Sequence, residues 1–74
     1  MGRRRVLIVG GGDVAWRAVA QAPQRAQWVV LVRDPNKAIR WRQLGARVIV
    51  GDLDRWRSLA RLMAGVDQIW VTAP

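Results

Sequence analysis

Four short apolar stretches recur along the chain at intervals of about 20 residues: 5–9 (RVLIV), 28–32 (WVVLV), 48–50 (VIV) and 68–72 (QIWVT). Each is rich in Val or Ile and apolar on consecutive positions, the pattern of a strand covered on both faces, as in a parallel sheet. Between them the period changes to that of a helix. Residues 13 to about 22 form the first such segment, ended by Pro23. Residues 36–44 form the second, with Pro35 suited to its first turn and Gly45 to its stop. Residues 54–64 form the third: Asp54 is a good N-cap, Trp56, Leu59, Ala60 and Met63 make one stripe, and Gly65 ends it.

Strand and helix therefore alternate as β-α-β-α-β-α-β. This order predicts an α/β fold with right-handed crossovers and a parallel sheet carrying helices on its faces. For a doubly wound sheet of the Rossmann type the strand order is 3-2-1-4. At 74 residues the chain is one small domain or a piece of one, of marginal stability by itself. The fourth strand is central in a complete sheet of this kind but stands here as an apolar edge. The expectation is that residues 1–74 are the amino-terminal part of a truncated Rossmann domain, or that self-association through the fourth strand covers that edge.

The strongest chemical signal is Gly10-Gly11-Gly12-Asp13-Val14-Ala15, which matches G-x-G-x-x-G/A at Gly10, Gly12 and Ala15. It leaves a predicted strand and opens a predicted helix. Gly10 allows the tight turn, Gly12 lets a pyrophosphate approach the main chain, and Ala15 keeps the helix close to the sheet. Free N–H groups at the helix start then face the phosphates. A plain glycine-rich turn is the competing reading, and the β-α-β setting favours the cofactor. The Asp13 carboxylate would repel a diphosphate unless it turns outward or bonds the first helical N–H groups, where it competes with phosphate.

The second signal is the tip of the second strand, Arg33-Asp34-Pro35-Asn36-Lys37. An acid there bonds the 2′-hydroxyl of NAD, whereas an arginine accommodates the 2′-phosphate of NADP. Arg33 comes first, and Lys37 adds charge one turn later, so NADP(H) is favoured over NAD(H). Against this stand a turn role for Asp34 and a solvated basic rim of Arg33 and Lys37. The third signal is Gly51-Asp52-Leu53-Asp54: Asp52 can bond the adenine amino group and Leu53 pack on the ring, or the aspartates can cap the next helix.

Composition narrows the chemistry. Cys, His, Glu and Tyr are absent, which removes thiolates, the commonest general base and a tyrosine proton donor; no metal set and no catalytic residue is proposed. The net charge of +8 suits either a polyanion or a solvated surface, and the basic residues are scattered apart from Arg3-Arg4-Arg5. The five tryptophans alternate with arginines in places, but their positions on helical stripes and strands point to packing rather than base stacking. Nucleic acid is the least favoured partner, since no such module fits the βα alternation. No apolar run approaches the roughly 20 residues of a membrane helix, so a soluble, cytoplasmic chain without membrane partner is expected.

The succession Val6-Leu7-Ile8-Val9-Gly10-Gly11-Gly12, Leu31-Val32-Arg33-Asp34-Pro35, Leu44-Gly45-Ala46, Gly51-Asp52-Leu53-Asp54 and Gly65-Val66-Asp67 resembles the amino-terminal part of an atypical short-chain dehydrogenase/reductase. It is most similar to the NAD-dependent epimerase/dehydratase and NAD(P)H-binding, NmrA-like groups, over essentially the whole chain. The resemblance implies an oxidoreductase or epimerase whose pyrophosphate lies on Gly10, Gly12, Asp13 and Val14. It implies Arg33 at the 2′-phosphate, Asp52 and Leu53 at the adenine, and Thr72, Ala73 and Pro74 near the nicotinamide-side ribose. Two departures stand out. Many members space the glycines more widely, which would place them at Asp13 and Trp16. The family's catalytic tyrosine and lysine come later than Pro74, so this chain alone lacks the catalytic pair, and its substrate stays open. A nucleotide-sensing regulatory module is the alternative, against which Arg33 argues because such modules place an acid at that tip.

Overall fold

A computed structural model describes residues 3–10, 12–51 and 65–71. Within them the order is β1 (Arg4–Val9), α1 (Asp13–Gln21), a short 3-10 turn (Pro23–Arg25), β2 (Ala26–Val32), α2 (Pro35–Gln43), β3 (Arg47–Val50) and β4 (Gln68–Val71). The four strands form one sheet in the order β3-β2-β1-β4. Every pairing is parallel, with Val9 opposite Leu31 and Val71, and Val32 opposite Val50. The α/β class and the 3-2-1-4 order read from the sequence are therefore those of the fold. The helix predicted over residues 54–64 lies outside the described residues, as do Asp52, Leu53, Thr72 and Ala73.

Consecutive apolar positions in β1 mean what the pattern implied. Val6, Leu7, Ile8 and Val9 are all buried. Val6 and Ile8 join Val30, Val32, Ala15, Val19, Ala38 and Trp41 in one cluster, so α1 and α2 share a face of the sheet. Leu7, Val9 and Leu31 form a second cluster with Val29, Ile49 and Val66. Trp41 is wholly buried, and Trp28 and Trp70 meet edge to face at 5.3 Å across the strand between them. The tryptophans described are thus packing residues. β4 is different: Ile69 and Val71 are exposed.

The strands begin earlier than hydrophobicity suggests, β1 at Arg4, β2 at Ala26 and β3 at Arg47. Main-chain pairing does not need apolar side chains where the strand amino ends meet water: Arg4 lies opposite Ala26 and Arg5 opposite Gln27. The Arg5 guanidinium adds a bond to the Gln27 side chain at 3.2 Å. The turn at Pro23–Arg25 was not foreseen, since proline was read only as a stop. It receives the chain from Ala22 and places the Pro23 carbonyl 2.8 Å from the Trp28 indole N–H.

Both ends of α2 are specified locally. Asp34 caps its start, accepting from the Asn36 N–H at 2.9 Å, and Pro35 occupies the first turn. At its end Gly45 has φ +82; its N–H reaches the Arg42 carbonyl, and that of Ala46 reaches the Trp41 carbonyl. These paired bonds form a Schellman stop, which favours glycine because the left-handed conformation crowds a side chain. No helix among the described residues is long and apolar enough to cross a membrane.

Candidate functional site

In right-handed βαβ units the helices return antiparallel to the strands, so helix amino ends gather at the carboxyl end of the sheet. Gly10, Gly12, Asp13, Val14, Arg33 and Lys37 follow the ends of β1 and β2 or open α1 and α2, and the parallel register brings them to that one end. The Gly10 N–H donates to the Leu31 carbonyl at 3.0 Å and the Gly51 N–H to that of Val32 at 3.0 Å, carrying the ladder past the last strand residues.

The two described glycines of the turn have different causes. Gly10 sits at φ +107, a region that side chains disfavour. Gly12 does not: φ −70 and ψ 174 are extended values open to any residue. Nor does packing among the described residues demand it, because a Cβ there meets nothing within 4 Å. The fold requires glycine at residue 10; at residue 12 neither φ nor the described packing requires it, and its local role is that of a favoured N-cap of α1. A bare residue there also leaves the main chain open to approach from outside.

What that main chain offers is a row of donors. The Gly12 carbonyl accepts the first helical bond, from Trp16 N–H at 3.0 Å. The N–H groups of Asp13, Val14 and Ala15 precede any intrahelical acceptor, and no described side chain caps the helix. Val14 is 83% exposed beside them. The helix dipole adds positive potential at the same place.

Asp13 takes the outward course. Its carboxylate lies 3.0 Å from Arg40 Nη1 and 3.6 Å from Arg17 Nη2, leaving the helical N–H groups free of it. At the β2 tip, Arg33 and Lys37 are exposed, whereas the Asp34 carboxylate is engaged as the α2 cap. Arg40 was missed by the sequence reading. It lies 27 positions from Asp13, and only the packing of α2 beside α1 brings the two together.

The grooves described elsewhere lie apart from this end. One is lined by Arg3, Arg5, Arg47, Val29 and Ile49, and another by Arg4, Arg25, Trp28 and Trp70, at the strand amino ends. The glycine turn is instead an open ledge, where contact comes from directed main-chain donors rather than enclosure.

The chain is 34% identical over 71 residues to an NAD(P)H azoreductase of Xenophilus azovorans, a match covering 93% of this chain and 25% of that protein. The chain thus spans about a quarter of the length of the curated relative it matches. No family model matches the chain. No solved structure matches it.

Proposed function

We propose that this chain binds NAD(P)H, with NADPH favoured, as the cofactor half of an oxidoreductase of the short-chain dehydrogenase/reductase kind, NmrA-like or epimerase-like. Residues 1–74 are on this reading the amino-terminal part of the dinucleotide domain. The observation that carries it is Gly12, a glycine that neither conformation nor packing requires, set beside open helical N–H groups. The resemblance to an NAD(P)H azoreductase supports the same cofactor class.

Each part of the dinucleotide has a counterpart. The pyrophosphate would lie over Gly10 and Gly12 and receive the N–H groups of Asp13 and Val14. Arg33, with Lys37 behind it, would take the 2′-phosphate. Asp34 is the acid that could have bonded a 2′-hydroxyl, and its carboxylate is already engaged by the Asn36 N–H, which favours NADPH over NADH. Asp52 and Leu53 are assigned to the adenine on the sequence pattern and the resemblance, and Thr72 and Ala73 to the nicotinamide-side ribose on the resemblance alone. Bound NADPH supplies hydride chemistry; the residues of this chain bind and orient it, and the acid–base groups come from elsewhere.

Titration of the chain with NADPH and NADH, followed by tryptophan fluorescence, tests the reading. NADPH should bind more tightly than NADH, and Gly12→Val should abolish binding while the chain stays folded, its stability lowered by no more than the cost of an N-cap change, about 1 kcal/mol. A folded wild-type chain that ignores both cofactors, or a Gly12→Val chain with wild-type affinity, overturns it.

A further inference from the structure

A second set of interactions surrounds the glycine turn and is not accounted for by phosphate binding itself. Asp13 is the first residue of α1, next to Gly12, so its negative charge sits where a pyrophosphate would lie. A carboxylate at a helix start ordinarily bonds the N–H groups of the first turn and gains from the dipole. Here it would compete with phosphate for the same donors and repel it. The structure turns it away. Oδ1 meets Arg40 Nη1 at 3.0 Å, and Oδ2 meets Arg17 Nη2 at 3.6 Å.

The two arginines are not equivalent. Arg17 is 76% exposed and reaches Asp13 from one turn along the same helix, a solvated pair of little consequence. Arg40 comes from α2, is 39% exposed and is held at two further points. Its guanidinium carbon lies 4.3 Å from the centre of the Trp16 ring. Its main-chain carbonyl accepts the Trp16 indole N–H at 3.3 Å. Trp16 therefore fixes Arg40, and Arg40 fixes Asp13. Cation–π contact also favours keeping the guanidinium over the ring instead of swinging into water.

We infer that Arg40 is a positioning residue for dinucleotide binding: held on Trp16, it pairs with Asp13 and removes a negative charge from the phosphate ledge. The inference rests on the cofactor reading above. Arg40 need not touch the cofactor. It acts through Asp13, and the two helices must be packed for it to act at all.

The experiment is a thermodynamic cycle on NADPH affinity in the full chain, with Arg40→Met, Asp13→Asn and the double variant. Methionine keeps the apolar stem over Trp16 and removes the charge. Arg40→Met should weaken NADPH binding about five- to tenfold, the scale of one unscreened like-charge repulsion at a partly wet surface. Adding Asp13→Asn should restore affinity to within about twofold of wild type, because the charge that needed a partner is gone. A role in the fold alone would not be rescued that way. Unchanged affinity in Arg40→Met overturns the inference. So does a double variant that stays as weak as the single one with an unaltered melt, which would make Arg40 a direct ligand. If wild type binds NADPH and Gly12→Val does not, the cofactor reading stands whatever Arg40 shows; if wild type binds none, both fall.

Discussion

The two ends of the sheet carry positive charge in different forms. At the amino end, Arg3, Arg4, Arg5, Arg25 and Arg47 are exposed, gathered from distant parts of the sequence because parallel strands all start there. Asp67 is nearby, and its carboxylate accepts the Arg5 N–H at 2.9 Å, pinning the start of β4 to β1. At the carboxyl end the described carboxylates are committed: Asp13 to Arg40 and Arg17, Asp34 to its cap. What remains open there is main chain at the helix amino ends, with the exposed Arg33 and Lys37 beside it. A count of arginines would place an anion at the amino end. On the proposed reading, the directed donors and the bare Gly12 favour the other. Formal charge steers anions over a distance, while fixed N–H groups decide where one is held.

That contrast can be broken in several ways. The largest effect should come from Trp41→Ala, which empties a wholly buried site under α2 and costs about 3–5 kcal/mol of stability. Loss of cooperative thermal unfolding would confirm it; a melt close to wild type would mean that α2 does not anchor the carboxyl end. Gly12→Val comes next. A loss of at least about a hundredfold in NADPH affinity, about 2.7 kcal/mol, is expected in a chain that stays folded and loses no more than about 1 kcal/mol of stability. Arg33→Gln should cost about tenfold or more for NADPH and little for NADH, since only the former offers a phosphate to the guanidinium. Equal losses for both cofactors would remove Arg33 from the 2′ position.

Smaller effects sharpen the comparison. Asp34→Ala removes the α2 cap and should lower stability by about 1 kcal/mol, read as a shifted denaturant midpoint at constant slope. The smallest effect belongs to the amino end. A triple change of Arg3, Arg4 and Arg25 to Gln should leave NADPH affinity within about twofold at physiological salt, where screening over about 8 Å hides distant charges. A tenfold loss would show that steering by the whole surface, and not the local ledge, governs binding.

Much of this was legible beforehand because it is local. Pro35 and Gly45 act on their own neighbours, and consecutive apolar residues in β1 and β2 report burial on both faces; the cap role of Asp34 emerges only with the start of α2 at Pro35. The strand starts at Arg4, Ala26 and Arg47 were less legible, since pairing at a wet sheet end leaves no mark in hydropathy. The Asp13–Arg40–Trp16 set was not legible at all. Its members are far apart in sequence, and exposed arginines look alike until a partner is seen.

The sequence by itself determined the alternation of strand and helix, the parallel order of the sheet and the glycine turn that opens α1, because periodicity, caps and turn residues act within a few positions along the chain. Only the tertiary structure decided which charges are neutralised and which main-chain groups stay open. Those outcomes depend on how α2 lies beside α1 and on which strand ends meet, and contacts of that range are set by packing, not by neighbours in sequence.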